Sequence, residues 1–555
     1  MTSTVTGEKP ADLTPGDHPT PRLGDWSYRI LLALLLGTGI AGVTRVWWAG
    51  MGMWKDEAGI ANNLLRSYTQ LTAHLTYDQV APVGWLWLEK TLLEQIGSDD
   101  RVLRVPAYLG TLTVFCLGTW IARRAIGRAG AVVVAALLVL SPMLWVYAAE
   151  VKQYAWEAGI ALCLLVLAAW AHEALRWTGI QAAIRGWWRP VLWVAVTAVA
   201  VCVSFSAILV VAAITVALAG LHLLRRARAD AGWLALLSAP AGVAAAYLVY
   251  RRHQYSFYPH QTDYFIGGTA PAGAGPGEFL RWFPFMWGKF VTAPMSWQLP
   301  ALVLVFMLVG VVALWRRDRL WSALLVMVFL AGVGGGAVRG FPVVARPAMY
   351  LIAPAVLLVV AGLDGLVRAS VALFRRRRAL VATVTSLVLL TGVAAIARPG
   401  AELVPQEFAH PLGKDGLAAG LADIAPLIQP GDKVLVYYFG NAVTTWYKPL
   451  LGIDTGVYHV RVCQVDKPDA KERQLYDLIG DAKRVFYLQG QLSNVSPKDQ
   501  FEISMRALGA MGTVKERHES PNDRIGPHSW ALVELHQVPP VPRPTRTGDP
   551  CLEIY

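Results

Sequence analysis

The chain has 555 residues, 55% of them hydrophobic and only 16% charged, with a mean hydropathy of +0.43. Soluble domains carry about 25% charged residues, so the composition argues against an ordinary soluble enzyme and reads, with its repeated apolar runs, as a polytopic membrane protein. The net charge of +12 does not make it a nucleic-acid binder, because the basic residues fall in short clusters between apolar runs and not along one continuous face.

Met1 to Asp25 is polar, rich in Pro, Thr and Gly and without a signal-peptide cleavage pattern, and is expected to be a disordered cytoplasmic tail. A hydrocarbon core of about 30 Å needs roughly 17–25 apolar helical residues. Eleven runs are read as spans: Ile30–Val46, Val105–Ile121, Gly130–Tyr147, Glu157–Leu175, Val191–Phe205, Ala207–Leu224, Trp233–Tyr250, Leu299–Trp315, Leu320–Val338, Ala348–Val367 and Leu380–Ala397. With the N-terminus inside, the clusters Arg123–Arg128, Arg176–Arg189, Arg225–Arg228, Arg316–Arg319 and Arg375–Arg378 all fall on the cytoplasmic side. An odd span number then puts the C-terminal region outside.

Three outer segments exceed what a connector needs. In the first, within 47–104, Ala58–Leu75 and Pro82–Ile96 have helical apolar periodicity, and Glu89, Lys90 and Glu94 keep the second of these from spanning; both fit helices lying along the bilayer surface. The second, 251–298, is rich in Gly, Pro and aromatics, among them Tyr264, Phe265, Trp282 and Phe285. The third is everything after Arg398. It alternates a helix (Leu417–Ile428), a strand (Lys433–Phe439), a helix (Lys471–Ile479) and strands (Arg484–Gln489, Ser529–Glu534), which reads as a small α/β domain. The expected organisation is therefore a tail over 1–25, a transmembrane domain over 26–398 and an extracytoplasmic α/β domain over 399–555. The α/β part has no Gly-rich phosphate loop and no nucleophile elbow. Of five cysteines, Cys116, Cys163 and Cys202 lie in apolar runs, while Cys463 and Cys551 lie in the polar outer region, where a disulfide between them is expected. No Cys/His cluster has zinc-ligand spacing, and His74, His253 and His260 show none either.

The stretch around which the rest is organised is Trp54-Lys55-Asp56-Glu57, two adjacent carboxylates at a membrane exit. Charge at the edge of a bilayer is costly unless it is solvated or used. In that place after the first span, the stretch resembles the acidic motif of the GT-C membrane glycosyltransferases, most of all the family 39 group of protein mannosyltransferases and lipid A aminoarabinose transferases. Gln79-Val80-Ala81-Pro82-Val83-Gly84 resembles that family's Pro-containing segment in the same loop. Glu150-Val151-Lys152-Gln153-Tyr154 resembles its acidic-basic-Tyr motif after the third span. Arg346-Pro347-Ala348-Met349-Tyr350 resembles its late Arg-x-x-x-Tyr segment. The likeness covers roughly Trp26 to Val367, with Ala81 where a second Pro is usual and Lys152 where Arg is common, departures that bear on the donor sugar.

The resemblance implies a polytopic GT-C-like fold, a polyprenyl-phosphate sugar as donor and inverting transfer of a single sugar at the outer face of the cytoplasmic membrane. The acceptor would be a hydroxyl of a cell-envelope glycan, lipid or protein. Asp56 matches the family's base position, with Glu57 orienting it or the acceptor. An acceptor hydroxyl is a poor nucleophile until a base takes its proton. The leaving lipid phosphate needs cations aimed at its oxygens, and no acid. The candidates for that role are Arg346, Arg339 and Lys152, with Arg251, Arg252 and Lys289 behind them. Glu150, Tyr154, Asp78, Gln79 and Tyr350 are expected to support the site or the acceptor. No nucleotide is called for and no resident metal is assigned, although a divalent cation is compatible with phosphate chemistry. The high Ala, Arg, Trp and Gly content suggests a GC-rich genome, which by analogy alone makes mannose- or arabinose-type sugars plausible donors.

Ordinary readings stand beside these. Asp56 and Glu57 could solvate a helix end, Glu150 and Lys152 could form a surface pair, and Arg339 and Arg346 could be interface anchors. A transporter or flippase of envelope precursors is the rival class, but it would be expected to show internal repeats with broken helices at the midplane, and no repeat is visible. A glycan-binding scaffold and a block-transferring oligosaccharyl enzyme are two further rivals.

Overall fold

The computed structural model describes residues 25–50, 52–175, 188–224, 238–239, 241–243, 245–246, 265–409, 416–437, 440–460, 462–463, 468–490, 497–520, 528–536 and 551–552. Residues 1–24 of the expected tail, most of the span expected over 233–250, and residues 251–264 of the second long segment, with Arg251 and Arg252, lie outside the described residues, while Asp25 already belongs to the first helix.

Helix α1 (Asp25–Trp48) leads into an outer segment folded as α2 (Lys55–Leu64), α3 (Val83–Gln95) and α4 (Asp100–Leu103). Next come α5 (Val105–Ala125), α6 (Arg128–Val139), α7 (Pro142–Ala148), α8 (Tyr154–Leu175), α9 (Trp188–Val203) and α10 (Ser206–Leu224). The remaining helices of the membrane part are α11 (Pro276–Thr292), α12 (Pro300–Arg317), α13 (Arg319–Ala337), α14 (Ile352–Leu373) and α15 (Arg378–Ala409). Seven described helices are long and apolar enough to cross a bilayer, and eight if the pair α6–α7 counts as one span bent by 57°. The bend has a local cause. Pro142 opens α7 and cannot continue the hydrogen-bond ladder of α6, and the freed Val139 carbonyl accepts from Trp145 Nε1 at 2.7 Å. The expected spans over 191–205 and 207–224 appear as the shorter apolar helices α9 and α10. The protein is thus a polytopic helical membrane protein with an α/β domain behind it.

Side-chain contacts define two ends of the bundle. At one end Arg128 pairs with Asp25, Arg123 lies 5.8 Å from the Tyr28 ring, and Arg317 donates to the Ile126 carbonyl at 2.6 Å. Asp364 joins this end, taking Arg368 at 2.7 Å and Arg317 at 3.5 Å. Cations from two of the five basic clusters therefore gather where α5, α12 and α14 end. The opposite end holds α2, Arg104 and Arg346.

The C-terminal part is built from α16 (Leu417–Ile424), β1 (Lys433–Tyr437), α17 (Asn441–Leu450), β2 (Gly456–Val460), β3 (Val462–Cys463), α18 (Pro468–Ile479), β4 (Arg484–Gly490), α19 (Pro497–Met511), β5 (Gly512–Ser520), β6 (His528–Leu535) and β7 (Cys551–Leu552). The main sheet has the order β2-β1-β4-β6-β5. β1 is parallel to β2 and β4, while β6 is antiparallel to β4 and β5. Alternation along the strands splits the side chains between two cores. Val434, Val436, Phe486, Leu488 and Trp530 face α16 and α17, and Leu435, Val485, Tyr487, Ala531 and Val533 face α18 and α19.

The apolar periodicity that suggested a surface helix over 58–75 serves a different purpose. Ala58, Ile60, Ala61 and Leu64 of α2 are fully buried in one cluster with Ala442, Val443 and Trp446 of α17. An amphipathic stripe looks the same whether its partner is lipid or a second protein layer, and here the partner is protein.

In the small second sheet β3 pairs antiparallel with β7, and Cys463 stands directly opposite Cys551. A cross-strand disulfide requires that register. The expected result is that neither thiol of the unreduced protein takes up a maleimide and both do after reduction. Labelling of both without reduction would remove the bond.

Candidate active site

The site starts from the first turn of α2. Backbone N–H groups are unsatisfied there and the helix dipole favours carboxylates, and Asp56 and Glu57 both occupy that turn. Neighbours on a helix point about 100° apart, so the two acids cannot share a task. Glu57 turns into the protein, where only 2% of its side chain is exposed. Its Oε1 accepts from Arg104 Nε at 3.0 Å and from Val151 N at 2.6 Å, and its Oε2 accepts from Arg104 Nη2 at 3.1 Å and from Trp54 N at 3.3 Å. This is a bidentate guanidinium–carboxylate pair that fastens α2 to the start of α5 and to the turn before α8. Burial works against the Arg104 charge, and Glu57 more than offsets it, holding the guanidinium pKa above its ordinary value. Glu57 therefore anchors the helix that carries Asp56.

Asp56 points the other way. Its Oδ2 lies 3.1 Å from Arg346 Nη2 and 4.0 Å from Lys152 Nζ, with 16% of the side chain exposed. Burial tends to raise the Asp56 pKa, but attraction to Lys152, Arg346 and Lys55 and the hydrogen bond from Arg346 outweigh it, and the carboxyl is held below its usual value. Lys152 is more deeply buried, and burial pushes its ammonium down to about 8 in spite of Asp56. It donates to Gln79 Oε1 at 2.6 Å, and Gln79 Nε2 donates to the Tyr77 carbonyl at 2.8 Å. Tyr77 and Asp78 are both left-handed, at φ 60° and 54°, a strained pairing for residues with side chains that turns the chain so that Gln79 lies over α2. Gly59 makes room for it, since a Cβ there would be 3.0 Å from Gln79 Cγ.

Arg346 arrives from the far end of the sequence. Its guanidinium carbon lies 5.8, 5.6 and 5.7 Å from the ring centres of Trp54, Tyr154 and Phe265, an aromatic surround that suits a weakly hydrated planar cation. The preceding Ala345 has φ 53° and ψ −148°, a region that is essentially reserved for glycine. Its N–H donates to the Ala293 carbonyl at 2.7 Å, so the twist is pinned next to the arginine. Glu150 is buried and close enough to Lys152 to act on its charge.

The remaining expected residues are dispersed. Arg339 Nη1 donates to the Ala270 carbonyl at 3.0 Å. Tyr350 is buried in the bundle, edge-on to Phe341, and its hydroxyl has no hydrogen-bond partner among the described residues. Asp78 is exposed on its strained turn, and Lys289 lies over the Phe285 ring. Two contributors had not been singled out in the sequence. Arg104 could have been found as a cation standing directly before an apolar span on the outer side, against the usual charge rule. Tyr447 of α17 carries no such signal. Its hydroxyl accepts from Met53 N at 2.8 Å and donates to Asp100 Oδ2, which ties the α/β domain to the residue just before the acidic stretch and to α4. Asn62 Nδ2 donates to the Ala442 carbonyl at 2.7 Å along the same contact.

No family model and no curated protein matches the chain. Several solved structures resemble it in outline. Among them is ArnT from Cupriavidus metallidurans in the apo state, with 15% identity and a TM-score of 0.46 over 91% of this chain and 98% of that one. Another is the same organism's ArnT bound to undecaprenyl phosphate, with 16% identity and a TM-score of 0.43 over 92% and 98%.

Chemically, the arrangement holds one ionised carboxylate, partly open to solvent, against two cations that share one of its oxygens. Such a cluster can exchange its internal carboxylate for an external anion and leave the carboxylate free to accept a proton.

Proposed function

We propose that the protein is a GT-C-type glycosyltransferase that moves one sugar from a polyprenyl-phosphate donor to an acceptor hydroxyl. The observation that carries this reading is the meeting of Asp56, Lys152 and Arg346, three motif residues far apart in sequence, on a single carboxylate oxygen. In the reaction, the acceptor oxygen forms its bond to the anomeric carbon as the bond from that carbon to the phosphate oxygen breaks. Asp56 takes the hydroxyl proton. The phosphate leaves with the bonding electrons, and Arg346 and Lys152 shift from Asp56 to its oxygens. Attack opposite the leaving group inverts the anomeric centre. Among the described residues the arginines of two of the five basic clusters lie at the end of the bundle away from the site, which supports an outward-facing site in the cytoplasmic membrane with the α/β domain outside. The sugar is of mannose or arabinose type on analogy alone.

The test is a transfer assay with purified protein, a panel of synthetic polyprenyl-phosphate sugars and membrane-extracted acceptor, comparing wild type with Arg346→Ala. Hydrogen bonds to charged groups are worth about 1.5–3 kcal/mol, so the variant's donor KM should rise roughly 10–100-fold while the acceptor KM changes little. Wild-type donor KM should also rise as pH passes about 8, where Lys152 loses its charge. An unchanged donor KM in the variant would take Arg346 out of donor binding. A folded wild type that consumes no donor in the panel, even by hydrolysis, would overturn the reading itself.

A further inference from the structure

A second cluster of ligand-type side chains lies in the α/β domain, outside the site described above. In the β5–β6 pair His518 stands opposite Trp530 and Ser520 opposite His528. His518 and Ser520 are two residues apart on one strand, as are His528 and Trp530 on the other, so both imidazoles lie on one face. Diagonal neighbours of this kind are within reach of long side chains. Trp530 belongs to the core shared with Leu417, Leu421 and Ile424, so this is the face that α16 covers. Asp423 of α16 extends over it, with Oδ2 3.2 Å from His528 Nε2. Gly420, one turn earlier, allows the close approach, because a Cβ there would lie 3.2 Å from His528 Cδ2 and 2.6 Å from Leu488 Cδ1. His518 stacks on Trp530 at 5.8 Å and stands 5.7 Å from the His528 ring. One ligand atom from each of Asp423, His518 and His528 falls within 4.8 Å of the others.

We propose that Asp423, His518 and His528 form a zinc site that clips α16 to the β5–β6 strand pair. Two imidazole nitrogens and one carboxylate oxygen are a donor set for a borderline ion such as zinc, whereas calcium and magnesium take oxygen ligands. Metal–ligand bonds of about 2.0–2.1 Å at the tetrahedral angle set ligand atoms about 3.3 Å apart. The Asp423–His528 separation already matches. The wider one closes by rotation of Asp423 and His518, which are exposed, against the buried His528. Their exposure also leaves the fourth position to water. The three residues come from three separate elements, spaced 95 and 10 apart in the chain, so no local sequence pattern announces them. The ion would have a structural role, because metal binding to the folded domain alone adds to its stability. The proposal is independent of the transferase reading.

The test uses untagged full-length protein in detergent, stripped by a chelator and then dialysed against zinc chloride. Wild type should retain one zinc per chain and melt at a higher temperature with zinc than without. His518→Ala changes an exposed strand residue and should fold with the apo wild type's melting temperature. Loss of a direct ligand costs more than loss of an outer-shell partner, so its zinc affinity should fall by more than about tenfold, and the zinc-dependent shift should vanish. Asp423→Asn should weaken binding in the same sense. Zinc retained equally by wild type and His518→Ala, or no stoichiometric zinc on wild type, would overturn the proposal and leave a plain Asp423–His528 hydrogen bond.

Discussion

Asp56→Asn is expected to lower sugar transfer by about 10²–10⁴-fold, the usual worth of a positioned general base, while donor binding is kept or tightened. The asparagine oxygen can still accept from Arg346, so the local fold has no reason to change. Without the negative charge, Arg346 and Lys152 lose their internal counter-ion and hold a phosphate at least as well. A fall in kcat without a rise in donor KM is therefore the signature, because a residue that only solvated a helix end would move neither. The pH profile supplies a second readout. Asp56 is held below the ordinary carboxylate value because the surrounding cations outweigh its burial. It stays ionised through the neutral range, and wild-type activity should show no loss from this group until pH falls below the ordinary carboxylate range. Steady-state kinetics on wild type and variant check both statements. An Asn variant with wild-type kcat would remove Asp56 as the base.

Arg104→Ala is expected to cause the largest loss of stability among single changes near the site, about 3–5 kcal/mol, the cost of leaving one partner of a buried ion pair behind. Arg104 and Glu57 are 1% and 2% exposed, and the pair is joined by two charge-assisted hydrogen bonds. The alanine leaves the Glu57 carboxylate buried with only Val151 N and Trp54 N as donors. Thermal melting in detergent should show a marked drop, and limited proteolysis should open the 55–104 segment first. Arg104→Lys should recover part of the stability, since it restores the charge but not the two-pronged geometry. Replacing both residues by leucine should not recover all of it, because the two backbone N–H groups would then lose their acceptor. An Arg104→Ala protein that melts with wild type would show that the pair does not fasten α2.

The sequence made the membrane part readable because each span is a long apolar run, and such runs have few other fates. It made the acidic stretch conspicuous because two adjacent carboxylates at a span exit are costly unless they are solvated or used. It could not divide the labour within that stretch. Asp56 and Glu57 are adjacent letters, and only the turn of the helix sends one toward Arg346 and the other toward Arg104. Nor could it tell what α2 packs against, since lipid and protein ask for the same periodicity. In the α/β domain β1, β4 and β6 were visible as buried, β-branched and aromatic runs. β5 was not, because its interior residues 513–519 are all exposed and no apolar alternation marks it. It is held by its backbone pairing with β6.

The burial of α2 against α17 bears on how such a protein can be cut and recombined. The linear boundary near residue 399 separates two stretches of chain, but the hydrophobic layer does not divide there. Ala58, Ile60, Ala61 and Leu64 complete a core whose other half lies almost 400 residues later, and Tyr447 holds Met53 and Asp100 at the two ends of the segment that carries α2. A chimera that exchanges only the C-terminal part would set a foreign surface against this helix and disturb the helix that aims Asp56. The natural unit of exchange is the α/β domain together with residues 53–104, so changes to that domain are constrained by the helix that carries Asp56.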